Sequence, residues 1–106
     1  MKLVIIADDL RVCVDNVCYD GCDLSSLDSS IHAIQWNGEW GEIEYKTVFH
    51  DGQITKPQNQ VITDIAPYQW AVGAWNTVKA AEEAAIAAAE AEAAQNQPVV
   101  SGTEAL

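Results

Sequence analysis

The 106-residue chain sets 16 acidic residues against 5 Lys and Arg, a net charge of -11; such a surface repels phosphate, and neither nucleic acid nor an anionic membrane is an expected partner. Its length suits a single modest core that buries roughly 65% of the unfolded surface. No run approaches the ~20 apolar residues of a membrane span. Leu3 to Ala7 is too short for a secretory leader, so a reduced cytosolic setting is expected for Cys13, Cys18 and Cys22.

Lys2 to Ile6 is a β-prone apolar run and reads as a strand, broken by Asp8-Asp9. Leu10 to Val14 reads as a second strand, and Asp15-Asn16 turns it into Val17 to Tyr19. In that register Val14 faces Val17, Cys13 faces Cys18 and Val12 faces Tyr19. One face of the meander carries Leu3, Ile5, Val12, Val14, Val17 and Tyr19. The other carries Val4, Ile6, Arg11, Cys13 and Cys18. Asp23 to Ser30 is dominated by Ser and Asp, which favour turns, and reads as a loop.

Ile31 to Lys46, IHAIQWNGEWGEIEYK, predicts a hairpin about Asn37-Gly38. A two-residue turn there pairs Trp36 with Glu39, Gln35 with Trp40, Ile34 with Gly41 and His32 with Ile43. The apolar face then holds His32, Ile34, Trp36, Ile43 and Tyr45, and the wet face Ala33, Gln35, Glu42 and Glu44. The second strand runs on through Thr47-Val48-Phe49, where the alternation slips and a bulge is expected. Asp51-Gly52 turns the chain into Gln53 to Thr55, and Gln60 to Thr63 is a last short strand.

Asp64 is a candidate cap and Pro67 suits a first turn. From Pro67 to about Asn96 nearly every residue favours helix, with Gly73 the weak spot. At about 100° per residue, Tyr68, Val72, Trp75 and Ile86 share a stripe fit to cover the apolar face of the hairpin. Beyond midway Glu83 and Glu90 occupy that stripe, while Ala81, Ala84, Ala85, Ala88 and Ala91 form a small-residue face on the other side. Small residues let helices approach closely. The expected architecture is α+β. An antiparallel β domain of meander and hairpins spans 1–66, and one long Ala-rich C-terminal helix spans 67–96. The first half of the helix packs on the sheet and the second half projects. An extended tail covers 97–106.

No chemical motif emerges. The cysteine spacing, x4 then x3, is not that of a zinc site, and all three read as small hydrophobes. His32 reads as a core histidine and His50 as an exposed turn residue, neither beside a nucleophile elbow. Glu39, Glu42 and Glu44 read as a solvated face, and the N-terminal aspartates do not match a calcium loop. No catalytic residue, cofactor or metal is expected. Trp40, on the wet face of the hairpin, and Trp70, away from the apolar stripe of the helix, are candidate protein contacts. Together with Ala81, Ala84, Ala85, Ala88 and Ala91 they form the expected interface set. A small hydrolase or carbohydrate-binding module using Trp40 and Trp70 is a separate reading.

Ile31, His32, Ala33, Gln35 and Trp36, then Gly41, Glu42, Ile43 and Glu44, then Pro67, Tyr68, Gln69 and Trp75 make a pattern. It resembles a group of small proteins encoded near the tail and tail-fibre genes of tailed bacteriophages, over about half the chain. The resemblance implies a non-enzymatic virion component of the tail region. Its partners would be other virion proteins and copies of itself, bound through the C-terminal helix. The alternative it leaves open is a tail-fibre assembly chaperone absent from the finished particle.

Overall fold

Residues 1–95 are described by a computed structural model; the expected extended tail at 97–106 lies outside them. The chain forms β1 (Leu3–Ile6), β2 (Arg11–Val14), β3 (Val17–Tyr19), β4 (Ile31–Trp36) and β5 (Gly41–Tyr45). They are followed by β6 (Val48–His50), β7 (Gln53–Thr55), β8 (Gln60–Ile62) and the helix α1 (Trp70–Gln95). Six strands make one antiparallel sheet in the order β3-β2-β1-β4-β5-β8, and β6 and β7 form a separate two-stranded ribbon. The fold is α+β, with the helix after the sheet.

The meander pairs as its turn dictates: Val14 with Val17, Cys13 with Cys18 and Val12 with Tyr19. Asp15 and Asn16 both take positive φ, the mirror-type turn whose twist suits a hairpin. The sequence reading of Cys13 and Cys18 as reduced hydrophobes is corrected: the two are joined in a disulfide, their Cα atoms 4.0 Å apart. Their directly opposed positions in the ladder bring the two side chains together. Cys22 keeps a free buried thiol, whose pKa burial pushes up, near the Tyr19 carbonyl.

The disulfide sits on the outer side of β3, a three-residue edge strand. Reduction should lower stability by about 2 kcal/mol, the entropy of closing so short a loop. Thermal melts with and without a phosphine reductant test this, with a Cys13→Ser, Cys18→Ser protein as control. An unchanged midpoint in both would show that the backbone ladder alone holds β3.

The main hairpin forms, but two positions out of the expected register. Trp36 pairs with Gly41, Gln35 with Glu42 and Ile34 with Ile43. The side chain of Asn37 causes the slide. Its Oδ1 accepts from the amides of Glu39 and Trp40, both at 2.9 Å, and its own amide donates to the Trp40 carbonyl. The loop therefore takes four residues rather than two. A slide by an even number preserves which side chains face inward, so Ile34, Trp36 and Ile43 still enter the core.

His32 is a second correction. A bulge between Ile31 and Ala33 sets Ile31 against Tyr45 and leaves His32 and Ala33 together opposite Glu44. Ile31 is thus buried in the core, and His32 stands half-exposed beside Asp8 and Glu44.

Leu3, Ile5, Val12, Ile34, Trp36 and Ile43 line the inner face of the sheet, and Cys22, Leu24, Ala71 and Trp75 close over them. The loop bearing Cys22 and Leu24 is shaped by its acids. Asp23 accepts from the Ser25 amide, and Asp28 accepts from the amide and hydroxyl of Ser30. These bonds hold both carboxyls below the usual aspartate range. Arg11 does the same for Asp20 through a 2.6 Å ion pair.

The helix entry has a 3-10 turn at Ala66–Tyr68 with Pro67 inside it, and Asp64 accepts the Ala66 amide at 3.0 Å. The α-helix therefore begins at Trp70, three residues later than expected. Its seat also differs. It lies against β2 and β3 rather than over the β4–β5 hairpin. The Trp75 indole donates to the Val17 carbonyl at 2.7 Å, and its ring meets Tyr19 edge-on at 5.6 Å. Ala71 and Trp75 are buried and Val72, Ala74 and Val78 pack at the margin. From Ala80 to Gln95 every residue is exposed. Ile86, expected on the sheet-facing stripe, is exposed because the helix has by then passed beyond the strands it rests on.

Candidate functional site

The expected interface residues fall on two separate parts of the molecule. Ala81, Ala84, Ala85, Ala88 and Ala91 lie on the exposed stretch of α1, and nothing else in the described chain covers them. Helical spacing keeps them on one face. These 16 residues from Ala80 to Gln95 reach about 24 Å at 1.5 Å per residue. An uncovered helix of that length is marginal in water unless it is anchored or packed. Here the anchor is at one end only, at Trp75.

Trp40 closes the loop between β4 and β5 and is 49% exposed. It borders a shallow recess of about 260 Å³ on the outer sheet face, with Lys2, Val4, Gln35 and Glu42 around it. The helix covers the inner face, so the structure does not bring Trp40 and the alanine face together. Trp70 is less exposed than Trp40. It is half-buried and packs on the core margin, with Gly21, Asp23 and Ser26 of the preceding loop nearby. The backbone amide of Cys22 donates to the Leu10 carbonyl and ties the start of this loop to the start of β2.

Three groups sit around His32: Asp8 at 3.7 Å from Nδ1, Glu44 at 3.9 Å from Nε2, and Lys56 at 3.9 Å from Glu44. They line an open polar recess with Tyr45, Lys46 and Thr47. The separations are those of loose, solvent-screened pairs, not of a nucleophile held by a base. Among the described residues no three His, Cys, Asp or Glu side chains converge as a metal site would need. Burial at the helix entry pushes the pKa of the Tyr68 hydroxyl up. That is a packing effect with no reactive neighbour.

The chain matches no family model, no curated protein and no solved structure. Its surfaces must therefore speak for themselves. Among the described residues no helix is long and apolar enough to cross a membrane.

Sequence reasoning missed one surface, the β6–β7 ribbon. Phe49 pairs with Ile54, and both are among the most exposed large apolar side chains, at 74% and 68%. The signal was present. The alternation slips at Thr47-Val48, and Asp51-Gly52, both at positive φ, make a tight hairpin turn. The expected bulged continuation of β5 is instead a break at Lys46-Thr47, after which the chain leaves the main sheet.

Proposed function

We propose that this protein is a non-enzymatic structural component of the tail region of a tailed-phage virion. It would serve as an adaptor, fibre-associated or decoration element, made in the host cytoplasm and carried in the particle. Its work would be assembly with other virion proteins and with copies of itself. The observation that carries this reading is the projecting half of α1, a stretch with an alanine-rich face and no cover among the described residues. An alanine face buries little area per residue, and it becomes useful where another backbone comes close. The acidic surface supports a role with proteins rather than with nucleic acid.

Mass spectrometry of purified particles tests the reading, with the protein expected among the virion peptides. Absence from particles but presence in infected cells would replace it with the assembly-chaperone role. The helix makes its own prediction. Changing Ala84, Ala85 and Ala88 to Glu should abolish association through that face and leave the sheet folded, as read by light-scattering mass and near-ultraviolet circular dichroism. An unchanged mass would reduce the face to a solvated one.

A further inference from the structure

We propose that the β6–β7 ribbon of one molecule docks on the Ile86 stripe of α1 in a second copy. The two surfaces are complementary in charge and in apolar content, and one molecule cannot bring them together. On the ribbon, Phe49 and Ile54 stand side by side with nothing over them. An isolated two-stranded ribbon is marginally stable, and burying its apolar face would fix it. Lys46 and Lys56 flank the ribbon and Asp51 is the one acid within it, so this segment is basic in an otherwise strongly acidic chain.

On the helix, Ile86 is 59% exposed. Glu82, Glu83 and Glu90 lie four before, three before and four after it, the spacings that place side chains around one point of a helix. No Lys or Arg lies between Ala80 and Gln95. The helix end therefore offers an aliphatic side chain ringed by carboxylates, and the ribbon offers an aromatic–aliphatic pair flanked by ammonium groups.

Within one chain the helix leans on β2 and β3, while the ribbon follows β5 on the far half of the sheet. The contact therefore runs from molecule to molecule, ribbon to helix, and is head-to-tail. Repetition closes a ring or extends a filament. The alanine face points the other way on the helix and stays free for a different neighbour. The Lys56–Glu44 pair, at 3.9 Å with Lys56 exposed and Glu44 half-buried, is loose and offers little resistance to exchange.

The test is sedimentation of the full chain over a concentration series at low and high salt. Wild-type protein should associate, more weakly at high salt. Phe49→Ser with Ile54→Ser should weaken association at least about tenfold, as should Ile86→Ser alone. Mixing those two proteins should give a one-to-one pair, because each supplies the half the other lacks. Lys46→Glu with Lys56→Glu should dissociate the assembly, and adding Glu82→Lys with Glu83→Lys should restore it. A monomeric wild type, an unaffected ribbon variant, or a mixture that forms no pair would each overturn the proposal. If only the Ala84→Glu, Ala85→Glu, Ala88→Glu protein dissociates, the copies are held by the alanine face and the ribbon is not involved. In that case the assembly role stands without this contact.

Discussion

Gly41→Ala should lower the stability of the fold by about 3 kcal/mol, at the upper end of what overpacking costs. A Cβ at this position would run into the Gln35 carbonyl and lie 2.9 Å from the Trp36 Cα. Both obstacles are backbone atoms of β4, the strand paired with β5, so neither can swing aside as a flexible side chain would. The φ of Gly41 is not positive, which separates this case from a turn glycine. The requirement is closeness, not conformational freedom. Relief would demand that β4 and β5 part where Trp36 and Gly41 are paired, at the loop end of the central hairpin. The core contacts of Trp36 and Ile43 would be disturbed with it. For a domain of this size the loss corresponds to a fall of about 15 °C in the melting midpoint. Thermal denaturation followed by circular dichroism measures it. A fall of less than about 3 °C would mean that the strands separate at little cost. Gly38→Ala is a useful comparison. Its φ of 109° also disfavours a side chain, but the nearest atoms a Cβ would meet are no closer than 3.6 Å. That variant should lose stability through backbone strain alone, by about 1 kcal/mol.

The hairpin also shows what the sequence carries and what it does not. Period-two alternation placed Ile34, Trp36 and Ile43 inward, and a slide of two positions could not spoil that. The pairing partners were out of reach, because the loop length was set by the Asn37 side chain taking the amides of Glu39 and Trp40. A turn motif read as a dipeptide does not reveal such a bond. His32 was misplaced for a related reason. A bulge breaks alternation over one residue, and nothing local marks it in Ile31-His32-Ala33. The Cys13–Cys18 bond was within reach, since the register that opposes them was read correctly. An inference about compartment overrode the geometry. The helix seat depended on long-range order. Its apolar stripe was legible, but nothing in the stripe says that β2 and β3 lie beneath it. That follows only once β4 is known to pair beside β1, which leaves β3 at the far edge. Of the candidate contact residues, the alanines and Trp40 lie exposed and Trp70 is half-buried. Solvation of Trp70 turned on where the Asp20–Ser30 loop folded, a matter of tertiary contact rather than helical phase.

Trp75→Ala should release the whole helix from the sheet, at a cost of about 4 kcal/mol. Trp75 is the largest side chain that α1 buries, and it engages the sheet in two distinct ways. Its ring fills the space beside Tyr19, and its indole donates to the Val17 carbonyl on the edge strand. Lys79, one turn on, lies over the same ring at 5.1 Å and loses its partner as well. Ala71 and the half-buried Trp70, Val72, Ala74 and Val78 remain, but all except Ala71 lie at the core margin and none bonds the edge strand as Trp75 does. Because nothing among the described residues covers Ala80 to Gln95, its helicity within a single molecule is sustained by propagation from the docked turns. Loss of the dock should therefore fray the far half too, and the helical circular-dichroism band should shrink well beyond the share of the docked turns. Hydrogen exchange should rise throughout α1 while β1 and β4 stay protected. Trp75→Phe separates the two interactions. It keeps most of the ring contact, and the carbonyl of half-exposed Val17 can turn to water, so about 1 kcal/mol should be lost and the helix should stay docked. If Trp75→Ala leaves the helical band intact, the far helix is held by its own propensity or by another molecule. Dilution decides between these, since a helix held by a neighbour melts at low concentration and an autonomous one does not.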